Sequence, residues 1–240
     1  SDLIDAGDYD IEAQATGENP TLTGDPVGDS DDVATVTLNQ RSNEEFRTWT
    51  APDGTTVSDM EDVNEALADG EITQSSDISN GDIVVHQLVG SGFEGALDAQ
   101  QNEDVTTEFF GLLKSTGGTD VYNLTVEEAS PGANQDAKNL TLNTSNTDVV
   151  ADGPNDTYFV IFDTDAVAYG DNSGIEDDTT LEANFSVLSN DESGLDLVNE
   201  DEFDSDENED ATVQYDVVEP DITISEPYNV SQASGQTVTG

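Results

Sequence analysis

Carboxylates are the residues of this chain whose number and spacing could do chemistry. The densest group is Asp204, Asp206, Asn208, Glu209 and Asp210, and a smaller one is Asp29, Asp31 and Asp32. Hard cations such as Ca²⁺ take about six to eight oxygen ligands of this kind. The larger group has the opening spacing of an EF-hand loop, but Glu209 stands where that loop requires glycine. In a chain this acidic such a group is most often a solvated surface, and a Ca²⁺ site of another type is the alternative that these oxygens allow.

A second candidate chemistry is N-glycosylation at Asn-X-Ser/Thr sequons. The acceptors are Asn123, Asn139, Asn143, Asn155, Asn184 and Asn229. Chance alone would supply about three or four sequons at this Asn and Ser/Thr content, so the excess is modest. A bulky glycan needs a surface position. Asn143 and Asn155, in polar, turn-like surroundings, are therefore better candidates than Asn184, whose neighbours alternate like a strand.

Catalytic constellations are hard to build from this sequence. His86 is the only histidine and lies in a strongly apolar segment, where a lone histidine is typically a packed, hydrogen-bonded residue. Acids occur at every spacing, so carboxylate pairs for glycoside hydrolysis carry no signal. The chain has no cysteine, and no Gly-rich phosphate loop follows a strand. The sequence predicts a protein that is not an enzyme.

Charge sets the environment in which the chain can fold. Among 240 residues, 55 are Asp or Glu and 4 are Lys or Arg, giving a formal net charge of -51. Such self-repulsion destabilises a compact state in dilute buffer, but at 1 M salt the screening length falls to about 3 Å. A very salty habitat is indicated. Binding to nucleic-acid phosphates is excluded, because the few basic residues are isolated.

The distribution of charge also bears on whether the chain folds. A disordered acidic tail, or a nucleic-acid mimic that competes for a basic partner, would carry its charge in blocks. Here the carboxylates are spread over the whole length and interrupt apolar residues at strand-like spacing, and 33% of the residues are hydrophobic. This pattern favours a folded protein with a uniformly acidic surface.

The elements that must position these groups are mostly strands. Alternation of apolar and polar residues predicts half-buried antiparallel strands. The apolar positions are Tyr9, Ile11 and Ala13; Ala34, Val36 and Leu38; Leu181, Ala183, Phe185 and Val187; and Val213, Tyr215 and Val217. Residues 83–89 and 158–162 are apolar on both faces and are predicted to be the most buried.

Helices are a minority. Ser58 and Glu61 have the spacing of a capping box, Met60, Val63 and Leu67 share one helical face, and Gly70 stands where the helix would end. A second helical stretch is predicted within residues 93–114. The fold class is therefore mainly β: immunoglobulin-like antiparallel β-sandwich domains with a small helical insertion.

Domain boundaries follow from polar and proline-rich stretches. Residues 1–42 are expected to be the C-terminal strands of a preceding immunoglobulin-like domain, residues 43–218 the main domain, and residues 219–240 a connector and the start of a following domain. The sequence contains no run of 18 apolar residues, so it predicts no membrane span. The chain opens at Ser1 with no leader, so a mature or excised piece is expected.

Several local phrases carry a resemblance to a known family. They are EALADG at 65–70, NGDIVVHQ at 80–87, YNLTVE at 122–127, PGAN at 131–134 and DTYFV at 156–160. Together they resemble the S-layer, or major cell surface, glycoproteins of haloarchaea over roughly residues 33–218, and AGDYDI at 6–11 resembles the closing strands of a preceding domain in such proteins. The resemblance implies a secreted, N-glycosylated protein of tandem immunoglobulin-like domains that forms a paracrystalline coat or a related surface assembly.

Three functions are weighed on this basis. The first is a structural module of an extracellular surface coat, in which copies of the protein form a lattice or filament and divalent cations bridge acidic patches. The second is an adhesin or binding module of the same fold, which an exposed apolar patch would favour. The third is an accessory domain of a secreted hydrolase, which a pocket of carboxylates with strongly perturbed pKa values would favour.

Overall fold

The computed structural model describes residues 6–13, 32–39, 41–100, 102, 104–114, 121–189, 198 and 208–220. The strands are β1 (Gly7–Ala13), β2 (Asp32–Leu38), β3 (Asn43–Ala51), β4 (Thr73–Gln74), β5 (Asp77–Ser79), β6 (Ile83–Gly90), β7 (Tyr122–Glu128), β8 (Asp148–Asp152), β9 (Thr157–Asp163), β10 (Thr179–Val187) and β11 (Glu209–Val218). The helices are α1 (Met60–Asp69), α2 (Glu94–Asp98) and α3 (Val105–Leu112), and a 3₁₀ turn spans Gly153–Asn155. The prediction of a mainly β chain is confirmed.

Two sheets form a sandwich. The larger has the strand order β4-β3-β6-β9-β8 and the smaller has the order β5-β11-β10-β7. All pairings within them are antiparallel except that between β5 and β11, which is parallel. The predicted antiparallel β-sandwich is thus present, while its assignment to the immunoglobulin type stays a prediction.

The core between the sheets is rich in aromatic side chains. Phe185 lies at its centre, with ring centroids 5.5 Å from Phe93, 5.4 Å from Tyr122 and 6.4 Å from Phe46. Towards the other end of the sandwich, Leu181 and Tyr215 continue the same layer. Each fully buried side chain of this size stabilises the fold by about 1.5–3 kcal/mol.

Strands β6 and β9 are buried on both faces, as their sequence predicted. Val84 and Leu88 of β6 face the smaller sheet, and Ile83 and Val85 face away from it. The second face packs against α1 through Val63 and other apolar residues. The larger sheet is therefore the middle layer of three, which explains why these two strands lack polar alternation.

Helix α1 begins one residue later than the capping-box spacing predicted. Its N-cap is Asp59, whose carboxylate accepts hydrogen bonds from the N–H groups of Glu61 and Asp62. Ser58 instead donates its hydroxyl proton to Asp62 Oδ2 over 2.5 Å. The assignment of Ser58 as N-cap was wrong, because Asp59 competes for the same role and its register buries Val63 and Ala66. Gly70 ends the helix with φ 76°, as predicted.

The second helical stretch consists of two short helices, α2 and α3, that cover one end of the sandwich. Leu97 and Phe109 enter the core from them. Thr106 of α3 reaches the outer edge of β8, where its Oγ1 accepts a hydrogen bond from Val149 N at 2.9 Å. This contact occupies a backbone group that an edge strand would otherwise leave open.

The hairpin of β1 and β2 forms a separate two-stranded sheet. Both strands were predicted from alternation, and their register pairs Tyr9 with Val36 and Ile11 with Ala34. Four residues separate the end of β2 from the start of β3. None of the helices in the described part of the chain is long and apolar enough to cross a membrane.

Candidate functional site

Asn143 is held in a turn just before β8. Its Oδ1 accepts hydrogen bonds from Ser145 N at 2.9 Å and from Ser145 Oγ at 2.5 Å. The amide of the sequon and its required hydroxyl are therefore already in contact, in the Asx-turn arrangement. Both bonds use the amide oxygen, so neither engages the amide nitrogen to which an N-linked sugar attaches.

Two further sequons lie at exposed positions of the sandwich surface. Asn155 closes the 3₁₀ turn between β8 and β9, and its Nδ2 donates to Asp152 Oδ2 at 2.8 Å. Asn139 is exposed beside β7, where it forms an isolated β-bridge with Glu127. A glycan at either position would extend into solvent.

Asn123 and Asn184 lie on adjacent strands of the smaller sheet. The register places Asn123 opposite Ser186 and Asn184 opposite Thr125, so each acceptor faces the hydroxyl residue of the other sequon. Ser186 is buried and donates to Asn184 Oδ1 at 2.8 Å. Paired side chains of a sheet have Cβ atoms only about 5 Å apart, which leaves little room for two glycans. Asn229 lies outside the described residues.

The acidic group at 204–210 is only partly described. Asn208 Oδ1 accepts a hydrogen bond from Ser189 N at 2.8 Å, and Asp210 is exposed. Asp204 and Asp206 lie outside the described residues, as do Asp29 and Asp31 of the smaller group, while Asp32 begins β2. Among the described residues no group of three or more His, Asp or Glu side chains is arranged to hold a metal ion. The Ca²⁺ site stays a prediction.

Glu209 lies within a buried cluster that the sequence did not reveal. Its Oε2 forms an ion pair with Arg41, and its Oε1 accepts a hydrogen bond from Asn43 N at 2.7 Å. The guanidinium of Arg41 also lies 5.4 Å from the ring centroid of Phe93. Burial lowers the pKa of Arg41, and the charge of Glu209 opposes that shift. The sequence offered one indirect signal for this cluster. The chain has only 4 Lys and Arg residues, so each of them is expected to pair with a carboxylate.

This Arg41–Glu209 clamp fixes the point where the hairpin joins the sandwich. Arg41 precedes β3, and Glu209 begins β11. Gly92 leaves room for the arginine, because a Cβ at that residue would lie 2.8 Å from Arg41 Cγ. The backbone of Gly92 has φ 84°, which also favours glycine. The arrangement ties three chain segments together and has a structural role.

His86 lies between the two sheets. It is fully buried, its Nδ1 is 3.2 Å from Thr48 Oγ1, and the rings of Phe46, Phe162 and Tyr215 surround it at 5.3–5.7 Å. Burial lowers the pKa of His86 to about 3, so the imidazole is neutral. It is a core residue, as its sequence context indicated.

An open cleft of about 560 Å³ lies between α1 and the loop that precedes it. Its acidic lining residues are Asp53, Asp62, Glu65, Asp69 and Glu71. Hydrogen bonds from the hydroxyl and N–H of Ser58 lower the pKa of the Asp62 carboxyl. A general acid needs a raised pKa, so this shift does not favour hydrolase chemistry in the cleft.

Comparisons with known proteins find relatives of the chain among cell surface glycoproteins of haloarchaea. It is 39% identical over 249 residues to the cell surface glycoprotein of Haloferax gibbonsii, a match that covers 100% of this chain and 25% of the relative. It is 34% identical over 260 residues to cell surface glycoprotein 1 of Haloarcula hispanica, covering 100% of this chain and 26% of the relative. Cell surface glycoprotein 2 of the same organism is 34% identical over 205 residues, covering 78% of this chain and 21% of the relative.

These first two relatives match the chain over its whole length, and the chain spans about a quarter of the length of each of them. No protein-family model and no solved structure matches it.

Proposed function

Because the chain belongs to the haloarchaeal cell surface glycoprotein family, we propose that it is a structural module of the cell-surface coat. The observation that carries this proposal is the similarity to such glycoproteins along the whole chain. The site of action is extracellular, and copies of the protein assemble into a lattice or filament. The module does no catalysis.

The surface chemistry supports a coat exposed to brine. A formal net charge of -51 keeps the exterior hydrated and the molecules soluble where salt screens their repulsion. The outward face of the smaller sheet is polar, with Glu127, Glu182, Gln214 and Asp216 among its side chains. The apolar residues are instead buried between the two sheets and between the larger sheet and α1. This packing makes each module rigid.

Glycans and cations complete the proposed coat. Asn143 is the preferred glycan acceptor because its turn is preformed, and Asn155 and Asn139 follow because they are exposed. Divalent cations bridge acidic patches, and a Ca²⁺ site at 204–210 would depend on Asp204, Asp206 and Asp210. Glu209 contributes little there, since its carboxylate already pairs with Arg41 and Asn43.

Glycan placement is tested by mass spectrometry of glycopeptides from the native source. Sugar is expected at Asn143 and not at Asn184. Ser145→Ala removes both the sequon and its hydrogen bond and should abolish modification at Asn143, whereas Ser145→Thr should retain it. A sugar on Asn184 together with a bare Asn143 would refute the proposed order.

The modules are arranged in tandem along the polypeptide. Residues 43–218 form the main domain, residues 1–42 belong to a preceding domain and residues 219–240 lead into a following one. In support of this division, the β1–β2 hairpin forms its own sheet and joins the sandwich through a short connection at Arg41.

A binding module of the same fold is the second candidate. The observation that favours it is the exposed apolar face of the β1–β2 hairpin, where Ile11 is 58% exposed. Such a face on a secreted protein can receive a partner on another cell. The two candidate functions differ in the partner. The structural module contacts copies of the protein in the same coat, whereas the binding module contacts a molecule on another cell.

Surface placement can be tested with cysteine labelling, since the chain has no cysteine of its own. Ser130→Cys lies in an exposed loop, and Ala183→Cys is fully buried in β10. A membrane-impermeant maleimide added to intact cells should label the first variant and not the second. Labelling of Ser130→Cys only after lysis would contradict the proposed function.

A further inference from the structure

The turn that follows Asn143 forms one wall of a groove on the α1 side of the larger sheet. The groove has a volume of about 350 Å³. Thr144 and Ser145 line it on this wall, and Thr55 and Ser58, from the segment that precedes α1, line it on the other. Among the described residues no hydrogen bond joins the two walls, so they lack a direct polar link.

The side chain of Asn143 reaches the rim of this groove. Its Oδ1 lies 2.5 Å from the Oγ of Ser145, which is itself a lining residue. A sugar attached to the amide nitrogen of the same side chain would therefore start beside the groove. Such a covalent link raises the effective concentration of a short tethered group to the order of millimolar. Contacts too weak to hold a free sugar would then hold this one.

The lining of the groove combines apolar and hydroxyl-bearing side chains. Ile83 and Ile161 belong to the core cluster under α1 and form part of the floor, while the walls carry the hydroxyls of Thr55 and Thr144. A pyranose ring has the matching character, because it has apolar C–H faces and hydroxyls that both donate and accept hydrogen bonds. Hydrogen bonds between neutral groups also suit brine, since salt screens charges and not neutral groups.

The charge of the groove favours one class of sugar. Asp148 and Asp163 line it, and none of the lining residues in the described part of the chain is basic. An acidic or sulfated sugar would place a further negative charge against these two carboxylates. Salt does not remove repulsion between groups in contact, because the screening length is still about 3 Å at 1 M. A neutral hexose avoids the repulsion, and its hydroxyls can donate hydrogen bonds to the carboxylates.

We propose that the glycan on Asn143 folds back into this groove, that its first sugar is a neutral hexose, and that it links the turn to the segment before α1. The inference rests on the proposed glycosylation of Asn143 and deepens it by giving the sugar a binding site on the protein. The docked glycan joins the α1 layer to the edge of the larger sheet, so its role is to stabilise the module as well as to cover its surface.

The experiment uses protein purified from native cells, in which mass spectrometry first identifies the glycan on Asn143. Hydrogen exchange in multimolar salt then compares wild type with Asn143→Asp. This change removes the nitrogen that carries the sugar but keeps an oxygen that accepts from Ser145. Without the sugar, the backbone amides of residues 55–58 should exchange at least about fivefold faster.

Two controls isolate the effect of the docked sugar. Asn155→Asp removes the sequon asparagine beyond the opposite end of β8 and should leave exchange at residues 55–58 unchanged. Asn143→Asp should also leave it unchanged in protein from a host without N-glycosylation, which controls for the added charge.

The outcomes separate this inference from the glycosylation on which it rests. Equal exchange at residues 55–58 in glycosylated wild type and Asn143→Asp would overturn the docking, while the sugar on Asn143 would stand. Exchange as slow in unglycosylated as in glycosylated wild type would also overturn it, because the walls would be held without a sugar. A charged first sugar would contradict the argument from the two carboxylates. A bare Asn143 in the native protein would refute the proposed glycosylation itself, and the docking with it.

Discussion

At the scale of single residues, the rarity of cations gives each one unusual weight. Arg41 and Glu209 are joined in a nearly buried ion pair, with side-chain exposures of 9% and 7%. Removing one partner of such a pair leaves the other charge buried and uncompensated, which typically costs about 3–5 kcal/mol. The clamp therefore matters more for what its loss would do than for what its presence adds.

We expect Glu209→Gln to lower the free energy of unfolding by about 3 kcal/mol in multimolar salt, for this reason. Asp210→Asn is the matched control, since Asp210 is adjacent in β11 but exposed, and it should change stability by less than about 0.5 kcal/mol. The double variant Arg41→Met/Glu209→Gln should recover much of the loss. Chemical denaturation of the four proteins measures this, and equal effects of the two single carboxylate changes would refute the clamp.

His86 makes stability depend on pH. Its pKa is lowered to about 3 in the folded chain by burial, against about 6.5 when unfolded. Below pH 6.5 the unfolded chain therefore binds a proton that the folded chain does not, so stability falls as pH drops towards 3. The free energy of unfolding therefore decreases by up to about 1.4 kcal/mol for each unit that the pH falls between about 6.5 and 3. Above that window His86 adds no pH dependence.

The test compares wild type with His86→Phe, which keeps the aromatic packing and cannot titrate. The difference in unfolding free energy between them should be constant above pH 7 and should shift in favour of the variant from pH 6.5 downwards. Subtracting the two profiles removes the contribution of the carboxylates, which both proteins share. A difference that stays flat from pH 7 to pH 4.5 would contradict a neutral, buried His86.

At the scale of elements, the edge strands of a sheet carry backbone groups that no neighbouring strand pairs, and these groups need other hydrogen-bond partners. Strand β8 is the outer strand of the larger sheet, and the hydroxyl of Thr106 accepts a hydrogen bond from its Val149 N–H at 2.9 Å. Thr106→Val keeps the shape of the side chain but leaves this buried N–H unpaired, which should cost about 1–3 kcal/mol.

The neighbouring change Thr107→Val provides the control. Thr107 donates its hydroxyl proton to Asp104 at an exposed position, so its loss should cost less than about 1 kcal/mol. Thermal unfolding compares the two variants, and hydrogen exchange at Val149 should accelerate only in Thr106→Val. Unchanged exchange at Val149 would show that α3 does not protect the edge.

Elements with a regular pattern were predictable from sequence, and those defined by long-range contacts were not. The burial of strands β6 and β9 could be predicted because both are apolar on both faces. Strands β4 and β5, of 2 and 3 residues, are too short to show any period. Ser58 and Asp59 are both good N-caps with an acid three residues later, so only the docking of α1 on the sheet distinguishes them.

The same reasoning applies to the candidate sites. Turn-like surroundings around Asn143 and Asn155 could be identified from local residue types, and the structure places both in turns. The pairing of Asn123 with Ser186 depends on the register of β7 and β10. The Arg41–Glu209 pair joins residues 168 positions apart, a separation at which local periodicity carries no information.

At the scale of the whole molecule, charge predicts that folding depends on salt. With 55 acidic and 4 basic residues, repulsion should unfold the chain once screening is removed. Circular dichroism across a sodium or potassium chloride series should show β structure at multimolar salt and its loss near 10 mM, where the screening length reaches about 30 Å. Full retention of structure at low salt would contradict this expectation.

The central claim is that the protein is a module of a surface coat, and electron microscopy of native cell envelopes tests it most directly. Gold attached to Ser130→Cys marks each copy without ambiguity, because the chain has no cysteine. We expect the labels on the outer face of the envelope, at a regular two-dimensional or filamentous repeat. Labels that lie inside the cell, or that scatter over isolated molecules with no repeat, would contradict the claim.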